Sequence, residues 1–356
     1  MSRYFRNAIL LTLGIKVIFY VFGNIIRPDP IANGEFFKIF MENDSYWYKI
    51  IFDSGYPKSI PGTFEQSSFA FFPLYPLLLK SLGFIFGSFA NSAFVLSLIL
   101  GFLWIKGIFK YIASTGKTEK DAFWLVVLLQ CIPFQYFYHM FYSELLFATI
   151  LLWLMYYVNK KSFLGVLVFS ALLTATRPTG LLFAFTLFLM VMFNIPWRTW
   201  LNRSSISRLL PFIGAPLGIA SYALYCCLRV GNAFVFRDNM KAWQRDYGWP
   251  WESFSTDIVE LQYLGIYVVI LFLIGLYAAF INKGKYALII LPNIIFPLCT
   301  GTVISYPRYF SINHPIFENL QSKLSFLRNP WVLSGLFILN LGTFAYWVLV
   351  HNVLSY

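Results

Sequence analysis

Residues 144–195 read ELLFATILLWLMYYVNKKSFLGVLVFSALLTATRPTGLLFAFTLFLMVMFNI, and this stretch decides the fold class. It holds three apolar runs, at 144–158, 162–176 and 179–195, with short polar breaks between them. Apolar runs that approach roughly 18 residues are typical of membrane spans. Lys160 and Lys161 fill the first break, and Arg177 and Pro178 fill the second. The stretch therefore predicts helices that cross a bilayer in alternating directions.

The same pattern continues along the whole chain of 356 residues, of which 59% are hydrophobic and only 12% charged. About eleven spans are predicted by this periodicity, with boundaries loose by a few residues. They are 7–26, 91–112, 121–139, 144–158, 162–176, 179–195, 209–229, 262–281, 286–304, 309–322 and 331–350. We therefore predict one all-α polytopic membrane domain over residues 1–356, without a separate soluble domain.

The charged residues orient these spans. With the N-terminus inside, the inner face receives a large set of basic residues and only two acids, Glu119 and Asp121. An excess of Lys and Arg marks the cytoplasmic face. The basic set is Arg3, Arg6, Lys106, Lys110, Lys117, Lys120, Lys160, Lys161, Arg198, Arg203, Arg208, Lys283, Lys285, Lys323 and Arg328. Two long loops, 27–90 and 230–261, then face outward with nearly all the remaining acids, and we expect chemistry there.

The segment from Phe69 to Phe86 is apolar enough to span, but it has prolines at 73 and 76 and a lysine at 80. Counting it as a span would reverse the direction of every later helix and place the inner Lys and Arg residues outside, against the positive-inside rule. We therefore predict an amphipathic helix at the outer interface, inside the first outward loop. Lys16 lies within the first span, where a cation usually faces protein or a cavity.

Composition and motifs exclude several functions. The net charge of +12 is spread over short loops, so it indicates topology and not nucleic-acid binding. The four cysteines lie in or near apolar runs without metal-ligand spacing, and we expect no zinc or iron–sulfur site. No phosphate-binding loop, dinucleotide motif or Gly-x-Ser-x-Gly elbow is present. Any substrate is therefore expected from the lipid or from the outer face.

Acidic and basic residues in the outward segments are the candidates for chemistry. Glu42 and Asp44 are two residues apart in an aromatic stretch, so they cannot form a close carboxylate pair on a helix. One of them alone could act as a general base, although an isolated loop acid is more often only solvated. Glu144 opens a predicted helix, where a carboxylate suits either capping or substrate binding. Arg177 and Arg308, at separate outer helix ends, would clamp a phosphate if they converge.

Several outward segments resemble the PIG-V family of mannosyltransferases, which add the second mannose to the GPI anchor, and its prokaryotic relatives. The matching segments are DSYWYKII at 44–51 with GY at 55–56, FAFFPLYPL at 69–77, YSELLF at 142–147 and TRPTG at 176–180. Their order and topology fit along nearly the whole chain. One departure is Asn43, because the family usually has Trp directly before the acidic residue.

The resemblance implies a GT-C glycosyltransferase fold and an inverting enzyme. It also implies a polyprenyl-phosphate sugar donor, such as undecaprenyl- or dolichyl-phosphate mannose, and a lipid or glycan acceptor. Asp44 matches the family's catalytic acid in the first outward loop and would take the proton from the acceptor hydroxyl. A leaving phosphate needs positive charge nearby, and this is the role implied for Arg177 and Arg308.

We predict the substrate-binding residues among the aromatic, polar and charged side chains of the outward segments. They are Glu42, Trp47, Tyr48, Gln66, Tyr75, Glu144, Arg177, Trp243, Gln244, Arg245, Arg308 and Tyr309. No cofactor is demanded by any motif, and a divalent cation is the one candidate. The compact loops favour a bacterial inner-membrane enzyme with an extracytoplasmic site, or the endoplasmic reticulum membrane if the source is eukaryotic.

Two other classes remain open at this level. A lipid or oligosaccharide transporter or flippase would show broken helices in matched halves and several ionisable residues deep in the membrane. Only Lys16 and Glu318 lie deep in the predicted spans. A non-catalytic membrane scaffold is the third class, but it would explain neither long outward loop.

Overall fold

The computed structural model of the protein describes residues 2–28, 37–62, 64–243, 245, 247–252, 263–281 and 286–350. These residues form helices, 3-10 turns and connecting segments, with no strand among them. In chain order the helices are α1 (Arg3–Ile26), α2 (Asp44–Ser54), α3 (Leu74–Phe86), α4 (Phe89–Ser114), α5 (Glu119–Cys131), α6 (Glu144–Asn159), α7 (Phe163–Thr176), α8 (Gly180–Phe193), α9 (Arg203–Leu209), α10 (Gly214–Val230), α11 (Val235–Asp238), α12 (Tyr263–Phe280), α13 (Ala287–Ile295), α14 (Tyr306–Ser311), α15 (His314–Lys323) and α16 (Pro330–Val350). The all-α prediction is confirmed.

Four helical segments of the described chain are long and apolar enough to cross a membrane: Arg3–Ile26, Phe89–Ser114, Arg203–Val230 and Pro330–Leu349. Six further apolar helices are shorter, and they include α6, α7 and α8, the three runs of residues 144–195. The chain is therefore an integral membrane protein by the length and composition of its helices. The predicted count of eleven spans is not established by these lengths.

Helix α6 lies at the centre of the bundle and contacts α4 on one side and α7 on the other. Its residues from Glu144 to Leu152 are all buried. A helix without a polar face avoids water either inside the protein or in lipid, and the burial of these residues shows that α6 is enclosed by protein. The first residue of this central helix, Glu144, is therefore held in a fixed place inside the protein.

Helices α7 and α10 pack with their backbones in close approach. Gly214 and Gly218 lie one turn apart on α10, and a Cβ on Gly218 would stand 2.1 Å from the Ala171 carbonyl oxygen. Thr174 Oγ1 donates a hydrogen bond across the same interface to the Ala215 carbonyl at 2.8 Å. Small residues at this spacing let membrane helices approach closely. This contact fixes the end of α7, from which Arg177 projects.

Three predicted spans are interrupted in the structure, and in one of them, 286–304, the α-helix covers only Ala287–Ile295 before a 3-10 turn at Phe296–Cys299. The span predicted for 121–139 ends at Cys131, because Ile132 precedes Pro133 and takes an extended conformation with ψ 145°. The span predicted for 309–322 is instead two short helices, α14 and α15, divided at Ile312 and Asn313. At 10 residues, α15 is too short to cross a bilayer alone, although His314–Gln321 are buried.

The predicted helix in 69–86 is present as α3, which begins after Pro73. Tyr75, Pro76 and Leu79 are buried on one face, whereas Phe84 is 86% exposed on the other. Its position at the outer interface stays a prediction. Two ion pairs involve residues of the predicted inner face. Lys117 pairs at 2.7 Å with Glu318, which the sequence placed deep in the span 309–322, and Arg328 pairs with Asp121 at 2.8 Å.

Candidate active site

Four charged side chains from distant parts of the chain meet at one end of the bundle. Asp44 is the first residue of α2 and Glu144 is the first residue of α6. Arg177 follows the last residue of α7, and Arg308 lies in the short helix α14. Each comes from a segment predicted to face outward, and the two arginines do converge.

Arg308 is the link between the two carboxylates. Its Nη2 donates to Asp44 Oδ2 at 2.6 Å and also to Glu144 Oε1, while its Nε donates to Glu144 Oε1 at 2.8 Å. The rings of Phe137 and Tyr142 lie 5.1 and 4.9 Å from the guanidinium carbon, within cation–π range. Burial alone would lower the pKa of Arg308, but the two carboxylates raise that pKa well above its ordinary value. Arg308 is therefore a fixed cation.

Arg177 binds the same carboxylate from the other side. Its Nη2 donates to Glu144 Oε1 at 2.7 Å, and its Nε donates to Ser143 Oγ at 3.0 Å. Ser143 Oγ in turn accepts from the Tyr48 hydroxyl at 2.8 Å. Burial raises the pKa of Tyr48, so this phenol stays protonated and keeps donating. In both arginines the Nε–Nη2 edge donates to protein oxygens, whereas Nη1 makes no hydrogen bond to any described residue and is left for a ligand.

The two carboxylates differ in access. The Glu144 side chain is 0% exposed and contacts two guanidinium groups, whereas the Asp44 side chain is 12% exposed. Asp44 lines a cavity, and its Oδ1 has no hydrogen-bond partner among the described residues. The surroundings of Glu144 therefore suit a residue that positions other side chains. The surroundings of Asp44 suit a residue that contacts a substrate.

The backbone before Asp44 is strained. Asn43 has φ 55° and ψ −113°, a combination that non-glycine residues rarely adopt. Strain of this kind persists only where surrounding contacts enforce it, and it clusters at functional sites. Ser45 supplies such a contact, because its Oγ lies 3.2 and 3.0 Å from the carbonyl oxygens of Phe40 and Phe141. The start of α2 is thus fixed to the segment that leads into α6.

The cavity beside these charges has a volume of about 130 Å³. Its wall includes Phe71 and Trp243, whose rings pack edge to face with centroids 5.6 Å apart. Trp47 supports this wall from behind, since it stacks on Phe71 at 6.0 Å. The lining residues are Asp44, Tyr48, Ala70, Phe71, Phe72, Thr176, Arg177, Pro178, Thr179, Met240, Trp243, Arg245, Ser305, Arg308 and Tyr309.

Two buried polar atoms of this lining, Trp243 Nε1 and Thr179 Oγ1, have no hydrogen-bond partner within the described ranges. Buried polar groups are nearly always paired, so such atoms suggest a ligand. Arg245 is held in place by Thr300 Oγ1 at 3.0 Å and Ser305 Oγ at 2.7 Å. The cavity thus combines an aromatic wall, hydrogen-bonding groups, a carboxylate and guanidinium groups.

Not every predicted site residue lies at the cavity. Glu42 binds Arg27 at 2.8 Å, and Gln66 reaches the Ala242 carbonyl oxygen at 3.5 Å. Tyr75 is buried behind Tyr48, with ring centroids 4.8 Å apart. Gln244 lies outside the described residues. Glu42, Gln66 and Tyr75 therefore do not line the cavity, and Trp47 contacts it only through Phe71.

Sequence reasoning missed Ser143 and Thr179 as site residues. Ser143 joins Tyr48 to Arg177, and Thr179 lines the cavity. Both belong to the segments YSELLF and TRPTG that carry the family resemblance, so the signal was present in the sequence. Tyr142 also belongs to YSELLF, whereas Phe137, the second ring beside Arg308, lies outside these segments.

The donor set does not fit a resident divalent cation. Metal sites for Mg²⁺ or Mn²⁺ need several free oxygen ligands, but Glu144 is bound by two arginines and Asp44 by one. In the part of the chain that the structure describes, no three His, Cys, Asp or Glu side chains are grouped closely enough to hold a metal ion. We derive no step through a metal.

Comparison with known proteins shows the fold. No protein-family model matches the chain, and neither does any curated protein. A crystal structure of the Archaeoglobus fulgidus oligosaccharyltransferase with zinc and sulfate is similar at TM-score 0.50 and 13% identity, over 93% of this chain and 53% of that one. A second, of the same enzyme tethered to an acceptor peptide, gives TM-score 0.47 and 13% identity, over 94% and 55%.

The chain thus spans about half the length of the enzyme it matches, and at this identity the first likeness establishes the fold alone. The protein has a GT-C fold, as predicted. The more specific resemblance to PIG-V enzymes stays a prediction.

Proposed function

We propose that the protein is an inverting glycosyltransferase. It moves a hexose, with mannose as the first candidate, from a polyprenyl phosphate to a lipid-linked or glycan acceptor. The observation that carries this proposal is Asp44, whose carboxylate reaches the cavity with one oxygen held by Arg308 and the other left for a substrate. The GT-C fold and the family resemblance support the same reaction.

Asp44 acts as the general base. The acceptor hydroxyl oxygen attacks the anomeric carbon and its proton passes to Asp44 Oδ1, while the bond from that carbon to the phosphate oxygen breaks. The polyprenyl phosphate leaves with the bonding electrons. Glu144 cannot serve as this base, since its side chain is fully enclosed and bound by two arginines. Its function is to hold both guanidinium groups in place.

The departing phosphate is stabilised by the arginines of the cavity. Arg177 and Arg308 each keep Nη1 for it, and Arg245 lines the same space. Guanidinium groups fixed before reaction stabilise developing negative charge without further reorganisation. The sequence predicts that both arginines clamp the phosphate, but in the structure their Nε–Nη2 edges contact Glu144, Asp44 and Ser143, so the proposed phosphate contact is made from Nη1.

The sugar lies against the aromatic wall. Phe71, Trp243 and Tyr309 line the cavity, and the unpaired Trp243 Nε1 and Thr179 Oγ1 offer hydrogen bonds to sugar hydroxyls. The predicted topology places this cavity on the extracytoplasmic side, and we assign the protein to the bacterial inner membrane. A polyprenyl tail then reaches the site from the bilayer.

The test uses purified protein with radiolabelled polyprenyl-phosphate mannose and a panel of membrane lipids and glycans as acceptors. We expect labelled product and release of polyprenyl phosphate by the wild type, and loss of both in Asp44→Asn. Glu42→Gln is the matched control, because it removes a nearby acid that does not line the cavity. Equal transfer by Asp44→Asn and the wild type would remove Asp44 from the reaction. The same assay with polyprenyl-phosphate glucose in place of the mannose donor shows which sugar is transferred.

The phosphate contacts are tested separately. Arg177→Ala and Arg308→Ala should each weaken donor use, and the double variant should lose less than the sum of both, because the two arginines share Glu144. Strictly additive losses would show that the two side chains act at independent places.

A further inference from the structure

A second cavity, apart from the candidate active site, lies between α1, α4, α5 and α6. It has a volume of about 170 Å³ and shares no lining residue with the first cavity. Lys16, Gln130 and His139 line its polar end, while Leu13 and Phe102 line its apolar end. Leu13 and Phe102 are 43% and 44% exposed on the surface of the helix bundle. The cavity therefore has a polar interior and an apolar opening.

Lys16 is the unusual group in this cavity. It is only 8% exposed and lies roughly 20 Å along α1 from Arg3, well inside the hydrocarbon layer. Its ammonium makes one long hydrogen bond, at 3.4 Å to the His139 carbonyl, and stands 5.7 Å from the face of Phe40. Within the described part of the chain it forms no ion pair, although an ammonium carries three donors.

The polar side chains next to Lys16 form hydrogen bonds with one another. His139 Nε2 lies 3.1 Å from Gln130 Oε1, and Gln130 Nε2 donates to Thr12 Oγ1 at 3.3 Å. These bonds hold the polar end in shape but bring no negative charge to Lys16. A cation at this depth is costly without a partner of opposite charge. The geometry favours an anion as the missing partner.

We infer that this cavity binds the acidic head group of a membrane lipid, a carboxylate or a phosphate, on Lys16. A cavity of about 170 Å³ suits a head group but not a whole lipid. The tail leaves through the apolar opening between α1 and α4 into the bilayer. This site is independent of the glycosyltransferase reaction, and it accounts for a buried lysine that the reaction does not use.

Two variants and two matched controls isolate the site. Lys16→Met keeps the length of the side chain and removes the charge, whereas Lys106→Met removes an exposed lysine of α4 that does not line the cavity. Gly101→Leu fills the cavity from its wall, since a Cβ on Gly101 meets no atom within 4 Å. Gly14→Leu makes the same change on an exposed face of α1, where a Cβ is equally unhindered.

Binding is measured on the full chain in a neutral detergent with radiolabelled oleate, dioleoyl phosphatidate, inorganic phosphate and oleyl alcohol as separate probes. We expect saturable binding of at least one acidic lipid, and the lipid that binds identifies the head group. Lys16→Met and Gly101→Leu should each weaken it about tenfold or more, while both controls bind as the wild type does. Oleyl alcohol should show only partition into the detergent.

Three results would overturn the inference. The first is absence of saturable binding of either acidic lipid to the wild type. The second is unchanged affinity in Lys16→Met, with a monodisperse elution profile that shows the variant is folded. The third is saturable binding of inorganic phosphate alone, which would make the cavity an ion site without a lipid.

Discussion

Glu144→Gln tests whether the buried charge network holds the candidate site together. The change keeps the shape of the side chain and removes its charge. In the structure Glu144 Oε1 accepts from Arg177 Nη2 and from Arg308 Nε and Nη2, and the side chain is fully buried. After the change, Arg308 keeps its contact with the Asp44 carboxylate, whereas Arg177 keeps Ser143 Oγ but no carboxylate among the described residues.

The size of the effect follows from burial. Removing one partner of a buried ion pair costs about 3–5 kcal/mol, because the remaining charge cannot be solvated. The matched control is Glu42→Gln, whose ion pair with Arg27 has the same 2.8 Å distance but side chains 30% and 24% exposed. A pair of that kind contributes about 0–1 kcal/mol. The two variants remove the same group and differ mainly in its surroundings.

In the assay, the purified protein is heated in detergent, and the fraction that still elutes as folded protein is measured at each temperature. At about 2 °C for each kcal/mol in a chain of this size, Glu144→Gln should unfold about 6–10 °C below the wild type. Glu42→Gln should stay within about 2 °C of it. Equal unfolding temperatures for the two variants would refute the network, and transfer activity retained in Glu144→Gln would refute its positioning role.

Further outcomes follow from the packing, the cavity wall and the topology. Gly218→Val should destabilise the protein by about 1–3 kcal/mol in the same unfolding assay, because its Cβ meets a backbone oxygen, whereas Gly342→Val, whose Cβ meets nothing, should not. Trp243→Phe keeps an aromatic side chain, smaller than the indole, and removes the unpaired N–H, so steady-state kinetics should show the KM of the donor raised about two- to tenfold with kcat nearly unchanged. In a chain whose four native cysteines have been replaced, Ser59→Cys should react with a membrane-impermeant reagent added from outside, and Ser204→Cys should not. The reverse pattern would show that the predicted topology is inverted.

The sequence predicts that the charged residues lie at the same outer level, but not that they converge. Glu144 and Arg177 lie at breaks between apolar runs, and the Lys and Arg bias places those breaks on the outer side. Asp44 lies in a loop on that same side. Hydrophobicity and charge act over whole segments, so they fix the level at which a residue lies in the membrane.

The pairing of these residues could not be anticipated. Arg308 reaches Asp44 and Glu144 because α14 and α15 are short buried helices, whereas the sequence favoured one continuous span over 309–322. Which oxygen each guanidinium meets depends on side-chain geometry at the scale of single hydrogen bonds. The strained backbone of Asn43 likewise depends on contacts made by residues distant in the chain.

The most direct test of the central claim separates donor binding from transfer in Asp44→Asn. The affinity for polyprenyl-phosphate mannose is measured at equilibrium without acceptor, and single turnovers are then measured with acceptor present. Because Asp44 takes a proton only during transfer, we predict donor affinity near that of the wild type and a transfer rate lower by about 10²–10⁴-fold. Transfer at the wild-type rate, or a loss explained entirely by weaker donor binding, would contradict the assignment of Asp44 as the general base.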